Sequence, residues 1–551
     1  MLRQLILALS SAVLLILSFP NFNQPWCAWV ALVPWMLVLQ DLKVPGTSQS
    51  EKSARHFFGW SYLVGLGFFL GSIWWLIHVT LVGWVALCLY LALYFGVFGW
   101  LVHRIYTSAQ ESEDRRQKTE VRKQKSERFP LSSVPSILLI PSAWVTLEYL
   151  RSHALSGFGW NLLGYSQTPA LSAIQLADLT GVWGVSFVIV MVNVAMAHYL
   201  TVREVRKAIP VVLVAMGVVL ATWFYGRFRL TQPDPEADAK IAIVQGNIPQ
   251  EEKWDTAYRE AILAKYERLT REAARDMPQL IIWPETAVPG YLGFDEPLTA
   301  RVQQVAQSVK VPLVVGAPMG TLNGQTWQLT NSAALLDASG AIVSRYDKLH
   351  LVPFGEFVPF ESVVPWLRKI LPPIGDFVPG REYTVFELNG SRLKAQGSRQ
   401  ELLPPASSLQ PPAFSVLICF EDIFPELARQ FVRRGARMLV TITNDAWFRN
   451  TAAAYQHAQA STFRAVELRV PMVRAANTGW SGCIDANGRW LTSVHDRDGK
   501  ELFIEGIASC ELAPGESGTL YRRWGDWFAW LCLLVTIGWL AGHRLKVRSA
   551  R

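Results

Sequence analysis

Long apolar stretches separated by short polar ones fill the first 226 residues of the chain. Seven such stretches occur there and an eighth lies near the C-terminus: 2–19, 26–39, 57–79, 82–102, 131–149, 182–200, 209–225 and 524–540. Because a helix needs roughly 20 apolar residues to cross a bilayer, the pattern predicts a multi-pass α-helical membrane domain. The second stretch is short and fits either a span or a re-entrant or core helix, so the predicted count is seven or eight.

From about residue 226 to about residue 520 the apolar residues fall in short runs. Five runs predict buried strands: 241–245, 280–283, 311–316, 414–418 and 438–443. Four segments predict helices: 256–274, 297–309, one that begins near 425, and 452–468. The runs at 332–336 and 341–345 flank Asp-Ala-Ser-Gly and predict a hairpin. This alternation is typical of an α/β sheet covered by helices.

The pattern divides the chain into three predicted domains. These are a transmembrane domain at 1–226 with about seven helices, an α/β domain at 238–518, and a transmembrane helix with a short tail at 524–551. About half of all residues are hydrophobic (51%), more than an ordinary soluble chain carries.

Basic residues predict the orientation of the chain in the membrane. The net charge is +8, and the segment 103–128 is strongly basic. Its basic residues are Arg104, Arg115, Arg116, Lys118, Arg122, Lys123, Lys125 and Arg128. By the positive-inside rule this segment is cytoplasmic, which with eight spans puts the α/β domain on the opposite, periplasmic face of a bacterial inner membrane. Nucleic-acid binding is disfavoured, because the basic residues lie in short loops without a recognised motif.

Three residues of the α/β segment carry candidate chemistry: Glu285, Lys348 and Cys419. A thiol has a pKa of about 8.5 and needs a base or a favourable field to react at neutral pH. Glu285 is a candidate base, and Lys348 is a candidate stabiliser of an oxyanion. Each residue also has an ordinary alternative. Glu285 could be a turn residue, Lys348 a solvated surface amine and Cys419 a small core residue.

The other cysteines and the histidines add little chemistry. Cys483 and Cys510 are compatible with a disulfide in an oxidising compartment or with two free thiols. The nine histidines show no metal-ligand spacing, so no metal site is predicted.

The surroundings of the three candidate residues resemble the nitrilase, or carbon–nitrogen hydrolase, superfamily. With the membrane stretches, the resemblance narrows to its membrane-embedded apolipoprotein N-acyltransferase family and covers nearly the whole chain. The motifs are VQGNIP at 244–249, WPET at 283–286, YDK at 346–348, PFGEFVP at 353–359, CFED at 419–422, NDAWF at 444–448 and RAANTG at 474–479.

The resemblance implies an α-β-β-α sandwich and a role for each matched residue. It assigns Glu285 as general base, Lys348 as stabiliser of the intermediate and Cys419 as the acylated nucleophile. It further implies supporting carboxylates at Glu356 and Glu421 and a tryptophan, Trp254, in a mobile loop near the lipid. Phe420 stands where the family often has tyrosine, and the Pro- and Ser-rich segment 389–412 lengthens the connection to the nucleophile.

The activity implied by the resemblance is transfer of an acyl chain from a phospholipid to the N-terminal diacylglyceryl-cysteine of apolipoproteins. It would require no cofactor and no metal, and a monomer embedded in the bilayer would suffice. A membrane-anchored amidase that resolves its acyl-enzyme with water is the alternative, because the same three residues serve both. A transporter or scaffold with an inactive outer domain is a further alternative, disfavoured by the intact set of catalytic residue types.

Overall fold

The structure is a computed structural model that describes residues 1–41, 50–120, 133–202, 205–233, 235–237, 239–323, 326–358, 377–388, 413–515 and 518–548. The chain forms two compact units. The first, the helical unit, comprises Met1–Gln232, Thr451–Gln459 and Arg523–Arg551. The second, the α/β unit, comprises Pro233–Asn450 and Ala460–Arg522.

The helical unit contains ten of the described α-helices. They are α1 (Leu2–Leu17), α2 (Val33–Asp41), α3 (Ser50–Ser72), α4 (Leu81–Glu120), α5 (Ser133–Arg151), α6 (Leu171–Ile174), α7 (Ala177–Thr180), α8 (Val182–Thr201), α9 (Val205–Leu230) and α15 (Trp527–Arg548). Three stretches of the described residues are long and apolar enough to cross a membrane: Leu81–Ser108, Val182–Thr201 and Ala208–Leu230. Three shorter segments are apolar and mainly helical: Leu2–Leu17, Pro25–Gln40 and Trp527–Gly542.

Two predicted apolar stretches do not form single long helices. The stretch 57–79 was expected as one span, but α3 ends at Ser72 and a 3₁₀ turn, Trp74–His78, follows. The physical reason lies in Gln456 of the same unit, whose side-chain amide donates to the carbonyl oxygen of Ser72 (2.9 Å) and accepts from the Trp75 indole (3.0 Å). The stretch 26–39 is likewise divided between a 3₁₀ turn, Pro25–Trp29, and α2.

The basic segment 103–128 is helical in its first part, because α4 continues to Glu120. This differs from the expected loop. The residues that follow the apolar stretch, up to Glu120, include many Gln, Glu, Lys and Arg, which favour helices, and no glycine or proline. The rest of the segment, from 121, lies outside the described residues, as does the Pro- and Ser-rich segment 389–412.

The α/β unit contains two mixed sheets. The strands are β1 (Ala239–Gln245), β2 (Leu280–Ile282), β3 (Leu313–Asn323), β4 (Thr326–Leu336), β5 (Ile342–Asp347), β6 (Phe414–Ile418), β7 (Met438–Thr443), β8 (Met472–Ala476), β9 (Gly482–Ile484), β10 (Trp490–Ser493) and β11 (Gly506–Leu512). The first sheet has the order β11-β1-β2-β3-β4-β5 and the second has the order β10-β9-β8-β7-β6. Within them β1, β2 and β3 are parallel, as are β6, β7 and β8.

The two sheets pack against each other, β1 on β8 and β4 on β6. Helices α10 (Arg259–Ala274) and α11 (Glu296–Val309) cover the outer face of the first sheet and share a hydrophobic core with it. The remaining described helices are α12 (Pro425–Arg433), α13 (Ala453–Leu468) and α14 (Leu520–Trp524). The predicted α/β architecture is therefore confirmed.

A disulfide joins Cys483 on β9 to Cys510 on β11. Because β9 belongs to the second sheet and β11 to the first, the bond links the two layers. The sequence left this pairing open, and the structure contains it.

One predicted strand is longer than expected. The run at 311–316 extends as β3 to Asn323 and forms an eleven-residue hairpin arm with β4. Gly316, Pro318 and Gly320 interrupt the strand pattern in the sequence, since glycine and proline are unusual inside strands. The regular pairing with β4, from Leu313 to Asn323, overrides these local preferences.

Candidate active site

The turn that carries Glu285 is held rigidly at the end of β2. Just before the turn, the Trp283 ring stacks on Tyr266 with centroids 4.8 Å apart, and its indole donates to the Thr270 hydroxyl at 2.8 Å. A side chain at Gly316, on the neighbouring strand, would collide with the carbonyl oxygen of Pro284. Glycine at that position therefore lets β3 pass directly beneath the turn.

Glu285, Lys348 and Glu356 form one buried group of charges. The Lys348 ammonium is 1% exposed and lies 2.9 Å from a Glu356 carboxylate oxygen and 3.8 Å from the nearer Glu285 oxygen. Burial alone would lower the pKa of Lys348, but the two carboxylates outweigh it and hold the pKa above its ordinary range. Lys348 therefore stays positively charged at any physiological pH.

Asn331 forms hydrogen bonds to both carboxylates, Glu285 and Glu356, and holds them in fixed positions. Its amide nitrogen donates to Glu285 and to Glu356, each at 2.8 Å, and its backbone carbonyl accepts from the Lys348 amide at 2.8 Å. Both amide protons are thereby used on carboxylates, which also fixes the orientation of the amide group. Sequence reasoning missed Asn331, because no local signal distinguishes it from any other polar strand residue.

Cys419 lies immediately after β6, on a sharp turn. Its φ is +54°, in the left-handed region that favours glycine, and a short 3₁₀ helix, Cys419–Ile423, begins at this residue. Non-glycine residues in that region are uncommon and are found at functional sites. The turn places Cys419 directly after β6, which corresponds to the predicted strand 414–418.

The Cys419 thiol is protonated in the resting site. Burial and the negative charge of Glu285 raise the pKa of the thiol well above its usual range, while the Lys348 charge and a hydrogen bond with Thr443 act in the opposite direction. The thiol therefore needs a base to become a nucleophile. Glu285 is the carboxylate whose charge acts on it most strongly.

Glu421 connects the segment of Lys348 to that of Cys419. One oxygen accepts from the backbone amides of Leu349 and His350 at 2.8 and 3.0 Å and from the Tyr346 hydroxyl at 2.8 Å, and the other accepts from the amide of Ile418 at 2.7 Å. Burial raises the pKa of Glu421 to about 7, although the hydrogen bonds from these donors act to lower it. Since Tyr346 lies near the end of β5 in the first sheet and Ile418 ends β6 in the second, this carboxylate bridges the two sheets.

Phe420 contacts aromatic rings rather than the charged group. Its ring lies 5.2 Å from Phe424 and 6.1 Å from His350. Trp254 is 49% exposed, and among the described residues no hydrogen bond or ring contact links it to the charged group. The adjacent Lys253 is buried and donates to the backbone carbonyl of Glu285 at 3.1 Å. Lys253 was also missed, although it lies beside a residue that the motif singled out.

The site and fold define a class of protein: a carbon–nitrogen hydrolase-type α/β domain with a buried Glu and Lys and a Cys on the turn after a strand. Comparison with known families agrees with this class. The model of the carbon–nitrogen hydrolase family matches residues 240–513, and the model of the apolipoprotein N-acyltransferase N-terminal domain matches residues 11–195. Among solved structures, an amidase from Nesterenkonia is similar at 18% identity, covering 52% of this chain and 93% of the amidase, with a TM-score of 0.35.

Two curated relatives span almost the whole chain. The apolipoprotein N-acyltransferase of Geobacter metallireducens is 37% identical, over 96% of this chain and 93% of the relative. That of Chlorobaculum tepidum is 31% identical, over 89% of this chain and 90% of the relative. The chain belongs to the apolipoprotein N-acyltransferase family.

Proposed function

We propose that this chain transfers an acyl chain from a membrane phospholipid, through a thioester on Cys419, to the α-amino group of the diacylglyceryl-cysteine of apolipoproteins. The observation that carries the proposal is the buried group of Glu285, Lys348 and Glu356 acting on a protonated thiol. A base, a fixed positive charge and a nucleophile are what acyl transfer needs. The apolipoprotein amine is proposed as the acyl acceptor because the relatives are named apolipoprotein N-acyltransferases.

The first half-reaction forms the acyl-enzyme. Glu285 accepts the thiol proton, and the sulfur of Cys419 attacks the carbonyl carbon of the phospholipid ester. The charge that develops on the carbonyl oxygen is stabilised by Lys348. When the intermediate collapses, the carbon–oxygen bond breaks, and Glu285 returns the proton to the departing lysophospholipid oxygen.

The second half-reaction transfers the acyl group. The unprotonated α-amine attacks the thioester carbonyl, and Lys348 again stabilises the oxyanion. Glu285 removes a proton from the attacking nitrogen. The carbon–sulfur bond then breaks, and the sulfur recovers that proton, which restores the resting thiol and carboxylate.

The supporting residues have positioning roles in this proposal. Glu356 holds Lys348 in place, and Glu421 ties the Lys348 segment to the Cys419 segment. Phe420 packs the nucleophile turn. Trp254, half exposed beside the site, is available to contact the lipid substrate.

We further propose that residues 1–226 and 524–551 embed the enzyme in the bacterial inner membrane and that the catalytic domain, 238–518, faces the periplasm. The basic segment at 103–128 supports a cytoplasmic location for that segment. The disulfide in the α/β unit supports an oxidising compartment for the catalytic domain. We also propose that the enzyme acts as a monomer.

Reporter fusions test the orientation. Fusions after Arg128 and after Lys207 are expected to report the cytoplasm, and a fusion near Leu388 is expected to report the periplasm. A cytoplasmic result near Leu388 would contradict the proposed topology and separate the site from its acceptor.

Mass spectrometry tests the reaction. With phospholipid alone, the purified enzyme should gain one acyl group on Cys419 that hydroxylamine removes, and the Cys419→Ala variant should gain none. A diacylated lipopeptide with a free amine should then discharge the enzyme and become triacylated, whereas an N-blocked peptide should not. Equal discharge by the N-blocked peptide, with release of free fatty acid, would instead favour the water-resolved amidase.

A further inference from the structure

Lys253 is a buried ammonium that the proposed reaction leaves without a role. Its side chain is 3% exposed. An ammonium has three N–H donors. Among the described residues, the Lys253 ammonium donates to the backbone carbonyl oxygen of Glu285, 3.1 Å away. Burying a charge that is incompletely paired costs free energy, so its presence calls for an explanation.

The position of Lys253 links it to the reacting groups. Its hydrogen bond reaches the turn that carries Glu285, and its charge interacts with the Glu285 carboxylate and with Cys419. These two groups come from different elements, one from the turn after β2 and the other from the turn after β6.

Lys253 offsets negative charge near the thiol. Glu285 and Glu356 share the single ammonium of Lys348, and the charge of Asp445 also acts on Cys419 and raises the pKa of the thiol. Lys253 adds a second positive charge beside the Glu285 turn. Moving the thiol proton to Glu285 places negative charge on sulfur, and a nearby positive charge lowers the free-energy cost of that step.

We propose that Lys253 is a positioning residue of the acyl-transfer site, which holds the Glu285 turn through its backbone and supplies the second positive charge that favours the Cys419 thiolate. This inference rests on the proposed function. It deepens that function by adding a cation contributed by the segment next to Trp254.

The pH dependence follows from the burial of the amine. Burial lowers the pKa of Lys253 to about 8, although Glu285 and Cys419 partly counteract it. Lys253 is therefore charged at pH 7 and loses its charge as the pH rises through about 8. A contribution that depends on this charge is present below that pH and is lost above it.

The test measures acyl-enzyme formation on Cys419 from phospholipid vesicles between pH 6.5 and 9.5. Lys253→Gln keeps a donor for the Glu285 carbonyl but removes the charge, and Lys253→Arg keeps a charge at every pH. The control is Lys265→Gln on α10, which removes a lysine that lies 3.4 Å from Glu505 at the surface of the same unit. Thermal unfolding of each variant is measured in parallel.

We expect Lys253→Gln to acylate at least about tenfold more slowly than wild type at pH 7. The ratio of wild-type to Lys253→Gln rates should fall towards one above pH 8, and the rate of Lys253→Arg relative to wild type should rise there. Lys265→Gln should follow wild type throughout.

Two results would overturn the inference: a wild-type rate for Lys253→Gln at pH 7, or a slower rate whose ratio to wild type does not change with pH, as a purely structural role gives. Lys253→Arg provides the pH comparison even where Lys253→Gln unfolds. If wild-type enzyme itself forms no acyl-enzyme, the proposed function fails. If wild type acylates and the variants match it, only the role of Lys253 fails.

Discussion

Removing the disulfide between Cys483 and Cys510 should destabilise the α/β unit by a calculable amount. The two cysteines are 27 residues apart in sequence. Closing a loop of that length in the unfolded chain gives a stabilisation of about 3.5 kcal/mol at 25 °C from chain entropy. A domain of this size unfolds with an entropy of roughly 0.6 kcal/mol per kelvin, so the midpoint should fall by about 6 °C.

The assay compares thermal unfolding in detergent for wild type and for Cys483→Ala/Cys510→Ala, each with and without reductant. Reductant should lower the wild-type midpoint and leave the double variant unchanged, which separates loss of the bond from loss of the side chains. Thiol counting on unfolded protein provides a second measurement. Of the six cysteines, Cys27, Cys88, Cys419 and Cys532 should react without reductant, and all six should react with it.

Protein purified from its native membrane should already contain the bond, because the proposed periplasmic location is oxidising. Six reactive thiols without reductant, together with a reductant-insensitive midpoint, would refute both the stabilisation and the compartment. Acyl-enzyme formation at 25 °C should survive in the double variant, since within the described ranges neither cysteine contacts the group of charges around Lys348.

Two further substitutions test how the site is positioned. Asn331→Asp places a third carboxylate between Glu285 and Glu356, and carboxylates that lie close together raise one another's pKa values. The acid limb of the pH profile of acylation should therefore move to higher pH. An acid limb at the wild-type pH would contradict the bridging role of Asn331. In Glu421→Gln, the new NH₂ group faces a backbone or hydroxyl donor that the carboxylate oxygen now accepts from. The free energy of unfolding, measured by thermal unfolding, should therefore fall by roughly 2 kcal/mol, and acylation of Cys419 should be slower. A wild-type midpoint and rate for Glu421→Gln would show that the bridge between the sheets is dispensable.

The main elements of the α/β unit were predictable because their local signals agree with the tertiary structure. The strand before Glu285 is a short apolar run, and the strand before Cys419 is apolar except for Ser415. Both proved to be buried strands, and β6 ends directly before Cys419. The hairpin before Lys348 has a turn sequence that specifies it. In each case the pattern, the turn and the burial indicate the same structure.

The contacts that complete the site were not predictable, because they join residues far apart in sequence. Asn331 is 46 residues from Glu285 and 25 from Glu356. Lys253 is 32 residues from the carbonyl that it contacts. Neither has a periodic or turn signal of its own. The end of α3 was hidden for the same reason, since the amide of Gln456 that caps Ser72 comes from 384 residues away.

The protonation states of the buried groups constrain how the reaction can begin. The thiol of Cys419 is protonated, and Lys348 is charged at every accessible pH. Titration by bulk water therefore does not generate the nucleophile near neutral pH, and the proton has to move within the site, to Glu285. Such an internal transfer leaves the net charge unchanged, so its rate should be nearly independent of pH over the neutral range. The charge of Lys253 then becomes the feature that limits this range on the alkaline side, which is why the pH profile, rather than the rate alone, distinguishes its role.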